Sequence, residues 1–189
     1  MMMWLLVAII ALIIILWINL YNGLVKARMY TQEAWSQIDV QLKRRNDLVQ
    51  NLIETVKGYA RFEQGTLEKV VALRNQLTQV PDGDHEQKMA LSNQLTDSLK
   101  SVFAVAESYP DLKASQQYNK LMEELTNTEN KIGYARQLYN TSVASYNTRL
   151  QTFPTSLVAK LHHFEPAQFL ETPTEEKAVP TVSFDAEGK

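Results

Sequence analysis

No charged side chain occurs in this 189-residue chain before Lys26, and from Met1 to Ile18 the only hydrogen-bonding side chains are the indoles of Trp4 and Trp17. Eighteen to twenty-two helical residues cover roughly 27–33 Å, the thickness of a bilayer's hydrocarbon core. A core helix of a soluble protein keeps a polar stripe toward water, and this run has none. A cleavable signal peptide carries a basic head, a shorter apolar run and a small-residue cleavage pair, none of which is found here. The expectation is a retained membrane anchor over residues 1–23, with the lipid bilayer as a partner. Trp4, Trp17 and Tyr21 then stand at its interfaces, where amphipathic rings settle. Lys26 and Arg28 follow the apolar run and no Lys or Arg precedes it. The positive-inside rule accordingly places the N-terminus outside and the larger C-terminal part in the cytoplasm.

Past the anchor the apolar residues recur at helical spacing. Trp35, Ile38, Leu42, Val49, Leu52, Val56 and Tyr59 fall on an alternating three/four step in which only Arg45 is polar. Gly23 alone interrupts the path from anchor to stripe, so the pattern predicts a membrane helix running straight into an amphipathic one. The pattern weakens around Arg61–Gly65, and Thr66 reads as the cap of a second helix carrying Leu67, Val70, Val71, Arg74 and Leu77. Pro81-Asp82-Gly83-Asp84 is a turn. A third helix follows through Leu91, Leu95, Leu99, Val102, Ala106 and Tyr109, and Tyr109-Pro110-Asp111 ends it, because a residue before proline is pushed out of helical geometry. Tyr118, Leu121, Leu125, Thr128, Ile132, Ala135, Tyr139, Ser142 and Tyr146 then hold a seven-residue period until Phe153-Pro154.

The expected fold is all-α: a transmembrane helix continuing into an antiparallel up-down four-helix bundle over residues 24–152. Residues 153–170 carry Leu157, Val158, Leu161, Phe164 and Phe169, expected to pack on the bundle. Residues 171–189, rich in Pro, Thr, Glu and Lys, read as a flexible acidic tail.

Several chemistries have no support in the sequence. There is no cysteine, which removes disulfides, thiolate zinc and cysteine nucleophiles. Net charge −2 and a pI near 5.9 leave no basic footprint for nucleic acid. No Glu-x-x-His pair, His-Glu-x-x-His run, P-loop, dinucleotide glycine pattern or Gly-x-Ser-x-Gly elbow occurs. His85 starts a helix and His162-His163 lie near the end of the folded part, positions that read as surface or capping ones. No cofactor, metal site or catalytic residue is expected.

Two polar features ask for an explanation. Lys43-Arg44-Arg45 is the one basic cluster, and on a helix it fans across most of a turn. It lies roughly 30 Å beyond the membrane boundary along a straight helix, far outside the ~8 Å screening length, so lipid headgroups would hardly be felt. Arg45 points to the core and needs a carboxylate partner there, its role being to set register. The second feature is the pair Tyr139-Asn140 and Tyr146-Asn147, spaced seven apart so that both asparagines share a face. They read either as polar flanks of the core seam or as a ladder of amides pairing with another chain, which could build rings or sheets on a membrane.

These residues resemble one family. Tyr21-Asn22-Gly23-Leu24-Val25-x-x-Arg28 and the run Glu33-Ala34-Trp35-Ser36-Gln37-Ile38-Asp39-Val40-Gln41-Leu42-Lys43-Arg44-Arg45 are similar to the opening motifs of LemA family proteins. Glu54-Thr55-Val56-Lys57-Gly58-Tyr59, Tyr109-Pro110-Asp111-Leu112-Lys113, Thr128-Glu129-Asn130-Lys131-Ile132, Ala135-Arg136-x-x-Tyr139-Asn140 and Phe153-Pro154 extend the likeness from about Tyr21 to Phe169. Gln50 departs from it, standing where the family often has a proline that would kink the first bundle helix, and Arg61-Phe62 replaces a stretch that usually carries a histidine. The resemblance implies a bacterial inner-membrane protein with one N-terminal span and no established reaction. The function expected is a non-enzymatic, self-assembling scaffold, a homo-oligomer at the membrane. The alternative is a binding module that regulates or presents substrates to a membrane-protein partner such as a protease.

Overall fold

A computed structural model describes residues 1–58 and 64–171. Its regular structure is all helical, with no strand among the described residues. The helices are α1 (Met2–Lys57), α2 (Gln64–Gln79), α3 (His85–Ala106), α4 (Pro110–Lys113), α5 (Gln116–Gln151) and α6 (Thr155–Leu161).

The 56-residue α1 is the organising element, roughly 84 Å long at the ordinary helical rise. Its apolar beginning, through Ile18, makes almost no contact with the rest of the chain, leaving Trp4 exposed with its neighbours. It is the one described helix long and apolar enough to cross a membrane. From Leu24 onward the same helix is amphipathic: Trp35, Ile38, Leu42, Arg45, Val49, Leu52 and Val56 are all buried, as the three/four spacing requires. Tyr59, the last position of that stripe, and Arg61-Phe62 lie outside the described residues. The helix passes through Gln50 without a break, and that side chain donates to the Glu54 carboxylate one turn on, at 2.6 Å. With glutamine in place of proline, the backbone keeps its N–H and its hydrogen bond.

Directions follow from pairs across the core. Arg44 meets Glu124, Trp35 meets Tyr139, and Gly23 meets Arg149, so α5 runs antiparallel to α1 along almost the whole helical body. His85 stacks on Trp35, Lys88 bonds Asp39 and Ser92 accepts from Arg45, which sets α3 parallel to α1. Five helices, α1 to α5, contribute to the distal core, with Val49, Leu52, Val70, Leu95, Val102, Leu112 and Leu125 among its members.

Three local readings change. Helix α2 begins at Gln64, so Thr66 lies inside its first turn and does not cap it. Pro110 starts the one-turn α4 where only a stop was expected: proline at the first helical position lacks an N–H that would have no intrahelical partner anyway. Along α5 the buried seam steps from Tyr139 to Val143 and Tyr146, leaving Ser142 half-exposed with its hydroxyl donating to Leu138 O at 3.0 Å. A straight helix drifts relative to a strict seven-residue repeat, and the larger apolar Val143 takes the inward place. The turn at Pro81–Asp84 is as expected. Gly83 supplies φ +115°, and the Asp84 carboxylate caps α3 by accepting from Gln87 N at 3.0 Å.

The segment after α5 packs only in part. Val158, Ala159 and Leu170 are buried and Phe164 is half-buried. Leu157 and Leu161, one turn apart on the opposite side of α6, are exposed, as is Phe169. A seven-residue helix pressed against a flat pair of helices buries one side and has nothing to cover the other. Of the expected acidic tail, only Glu171 is among the described residues.

Candidate functional site

Arg45 sits at the crossing of α1, α3 and α5 with its side chain 1% exposed. Its guanidinium donates to the Glu129 carboxylate, to Thr96 Oγ1 at 2.8 Å, and to Ser92 O at 2.6 Å and Ser92 Oγ. Burial lowers its pKa, and the Glu129 charge and hydrogen bond work against that shift. A guanidinium starts so high that it stays a cation. The carboxylate partner that burial demands is therefore Glu129, which follows Thr128 of the α5 seam and is itself 38% exposed. Lys43 and Arg44 of the same cluster face solvent, and Arg44 pairs with Glu124. The basic run thus divides into a solvated face and one inward cross-link between three helices.

The tyrosine–asparagine repeat makes its hydrogen bonds within the chain. Residues 165–170 lie extended along α5, and the repeat grips them. Asn147 Nδ2 donates to Ala167 O at 2.8 Å, while Asn147 Oδ1 accepts from Ala167 N at 2.9 Å. Asn140 does the same to Leu170, with Nδ2 to O at 3.0 Å and N to Oδ1 at 2.9 Å. Tyr146 donates to Glu165 O at 3.0 Å and Tyr139 to Gln168 O at 3.1 Å. The match is metrical. Seven helical residues rise about 10.5 Å, and three extended residues cover about 10 Å. Each amide therefore reads the N–H and C=O of one strap residue, and the next amide meets the third residue along. The ladder of amides exists, but the chain's own strap occupies it. Tyr139 and Tyr146 are buried beneath the strap, and burial raises both phenol pKa values.

Strap, α1 and the α2–α3 turn enclose a cavity of about 310 Å³ lined by Arg28, Thr31, His85, Tyr139, Tyr146 and Leu170, among others. The His85 ring lies on Trp35 with centroids 3.7 Å apart and 17° between planes, and Tyr139 meets it edge-on at 6.1 Å. This histidine is an aromatic spacer, which its position at a helix start did not reveal. Among the described residues no group of three or more His, Cys, Asp or Glu could hold a metal ion. His162 accepts from Trp17 Nε1 at 3.3 Å and packs against the Tyr21 ring at 4.8 Å.

The LemA family profile matches residues 34–184, a stretch that holds the Arg45 cross-link, both Tyr-Asn pairs and the strap. The chain belongs to the LemA family. Protein LemA of Metamycoplasma hominis is 32% identical over 140 residues, covering 74% of this chain and 63% of its own length. Magnetosome protein MamQ 2 of Paramagnetospirillum magneticum is 24% identical over 80% of this chain, and magnetosome protein MamQ of Magnetospirillum gryphiswaldense is 22% identical over 79%. The chain spans 63–64% of the length of these curated relatives, a little under two thirds. In this LemA-family chain the segment Trp35–Arg45, inside the matched stretch, supplies both the aromatic stack and the cross-link.

The surroundings of His85 predict a pH dependence for the stability of the body. Burial comes first in lowering its pKa, Lys88 adds to it, and Asp39 and Asp84 oppose it. A histidine whose folded pKa lies below its unfolded value of about 6.5 binds protons more readily when the chain unfolds. Its neutral form therefore supports the fold above about pH 6.5, and that support is lost as pH falls toward the depressed folded pKa. Melting temperature should drop between pH 7.5 and 5.5 in the native chain and drop less in His85→Phe, which keeps the stack and cannot titrate. Equal slopes for the two proteins would remove His85 as the cause.

Proposed function

We propose that this LemA-family chain is a non-enzymatic, single-pass scaffold of the bacterial inner membrane, its N-terminus outside and its helical body in the cytoplasm, that assembles with copies of itself. The observation that carries the reading is α1: one unbroken 56-residue helix serves as both the apolar segment and the spine of the body. A rod of this kind fixes the height and tilt of the body relative to the bilayer, which suits a part that builds order along a membrane and is unneeded by a diffusing enzyme. With the Asn140/Asn147 ladder engaged by the strap, the surface best suited to a second copy is the outer groove between α1 and α5. Tyr30, Val40, Tyr134 and Leu138 stand exposed along it. Relatives named as magnetosome proteins fit a structural role of this sort.

Mass and shape of the full-length chain in mild detergent, by light scattering and negative-stain imaging, test the proposal. Uniform particles well above monomer mass are expected, and Tyr134→Glu with Leu138→Glu should return them to monomers. A monodisperse monomer overturns the scaffold and leaves the binding-module reading, in which a membrane-protein partner such as a protease is sought by crosslinking.

A further inference from the structure

The exposed apolar side chains near the end of α5 gather at one height of the molecule. Helix α5 runs antiparallel to α1 and Arg149 donates to Gly23 O at 3.4 Å, so the residues after Arg149 advance toward the apolar part of α1. Phe153 comes four residues later and is 80% exposed. Helix α6 then folds back against α1, seating Val158 and Ala159 on Leu24 with Trp17, Leu20 and Phe164 around them. Immediately past α6, His162 meets Trp17 and Tyr21, and Phe164 meets Tyr21 edge-on at 5.8 Å. The middle of α6 and the residues just past its C-terminal end are thereby tied to residues 17–24, the last turns of the apolar segment and the first beyond it. On its free side Leu157 and Leu161 are 53% and 65% exposed. Lys26, Arg28, Arg149 and Lys160 face solvent around the same end, with Arg28 lying over the Phe164 ring at 5.4 Å.

We infer that Phe153 and the outer side of α6 form a second membrane contact, seated in the boundary between headgroups and acyl chains beside the point where α1 leaves the bilayer. This rests on reading residues 2–21 as a membrane span. The occupant is the lipid bilayer because the patch continues a surface that is itself built for it: Trp17 and Tyr21, rings of the type that favour that boundary, are in contact with the same segment. A short helix with leucines on one side and a lysine beside them has the make-up of an interfacial element, and cations around it suit anionic headgroups. Aliphatic and phenyl groups held at that depth lie in lipid with no rearrangement of the body. Covalent continuity then fixes where α1 emerges, and α6 fixes how the body is rotated and tilted about it.

The absence of cysteine makes the test direct. Single substitutions Ile10→Cys, Gln76→Cys, Phe153→Cys, Leu157→Cys and Leu161→Cys, all at exposed positions, are spin-labelled in the full-length chain. The proteins are placed in vesicles of phosphatidylethanolamine and phosphatidylglycerol. Collision with oxygen, which concentrates in the acyl region, is compared with collision with a water-soluble nickel chelate. The expected order of the oxygen-to-nickel ratio is Ile10 highest, Phe153, Leu157 and Leu161 intermediate, and Gln76 lowest. Ratios at 153, 157 and 161 equal to that at Gln76 overturn the membrane contact while leaving the anchor in place. A ratio at Ile10 equal to that at Gln76 overturns the anchor and the inference together. Spin–spin broadening at Leu157 that disappears on dilution with unlabelled chain would show a second copy covering the patch, and would overturn the lipid assignment.

Discussion

Glu129→Ala will destabilise the helical body more than Arg45→Met, although Arg45 is the buried member of the pair. The order follows from what each change leaves behind. With Glu129 gone, Arg45 remains a cation at 1% exposure with only Thr96 and Ser92 as partners. A stranded buried charge typically costs about 3–5 kcal/mol, and because Glu129 is 38% exposed, water can take part of its place and the lower end, about 3 kcal/mol, is expected. With Arg45 replaced by methionine, the volume is largely kept and Glu129 turns to solvent. The remaining loss is that of the Arg45 hydrogen bonds to Ser92 and Thr96, about 1–2 kcal/mol because Thr96 still donates to the Ser92 carbonyl. Thermal melts in mild detergent should show Glu129→Ala lower by roughly 6–12 °C and Arg45→Met lower by roughly 2–8 °C, using about 2–4 °C per kcal/mol for a chain of this size. Adding Arg45→Met to Glu129→Ala should then recover stability, since the second change removes the stranded charge. A double variant weaker than Glu129→Ala alone would mean that Arg45 acts through packing and not through its charge.

This pair also marks how far the sequence could be read. The three/four spacing placed Arg45 in the core because seven apolar positions on the same stripe required it, and elementary electrostatics then demanded a carboxylate. Spacing within one helix cannot say which carboxylate on another helix arrives there. Glu129 is adjacent to the seam residue Thr128, but so are many polar residues adjacent to seam positions, and only the relative shift of α1 and α5 selects it. The apolar segment and the long helices were legible for a simpler reason, since hydrophobic period and length depend on nothing beyond the neighbouring residues. Short elements were not. Helix α4 and helix α6 have too few residues to show a period, and they exist because Pro110 starts one and contacts with Leu24 hold the other. His85 was misjudged on similar grounds, because its stack on Trp35 is made by the turn at Pro81–Asp84 and appears in no local pattern.

Replacing Asn140 and Asn147 together by alanine will release residues 165–170 while the helices beneath stay folded. Each asparagine makes two hydrogen bonds to one strap residue, so the double variant loses four. At about 0.5–1 kcal/mol of net stabilisation per bond, the strap becomes easier to open by about 2–4 kcal/mol. The amides of Ala167 and Leu170 should then exchange with solvent roughly 30- to 1000-fold faster, because every 1.4 kcal/mol is tenfold. Amides around Ile132 and Val49, deep in the core, should keep their protection. Asn147→Asp is the sharper variant. It retains the oxygen that accepts from Ala167 N but turns a second oxygen toward Ala167 O, replacing one hydrogen bond with repulsion. It should therefore loosen the strap at least as much as Asn147→Ala, which merely deletes both bonds. The sequence showed the repeat of Tyr-Asn at a seven-residue interval and the shared face that follows from it. What it could not show was the partner, since a row of amides that matches an extended backbone fits a segment of the same chain as well as one from a neighbour. Proximity decides between them: the strap is joined to α5 through α6 and is always at high local concentration, whereas a second chain must compete with it. If exchange at Ala167 and Leu170 is unchanged in the double variant, the amides are incidental to holding the strap, and Leu170 in its apolar site is what keeps it down.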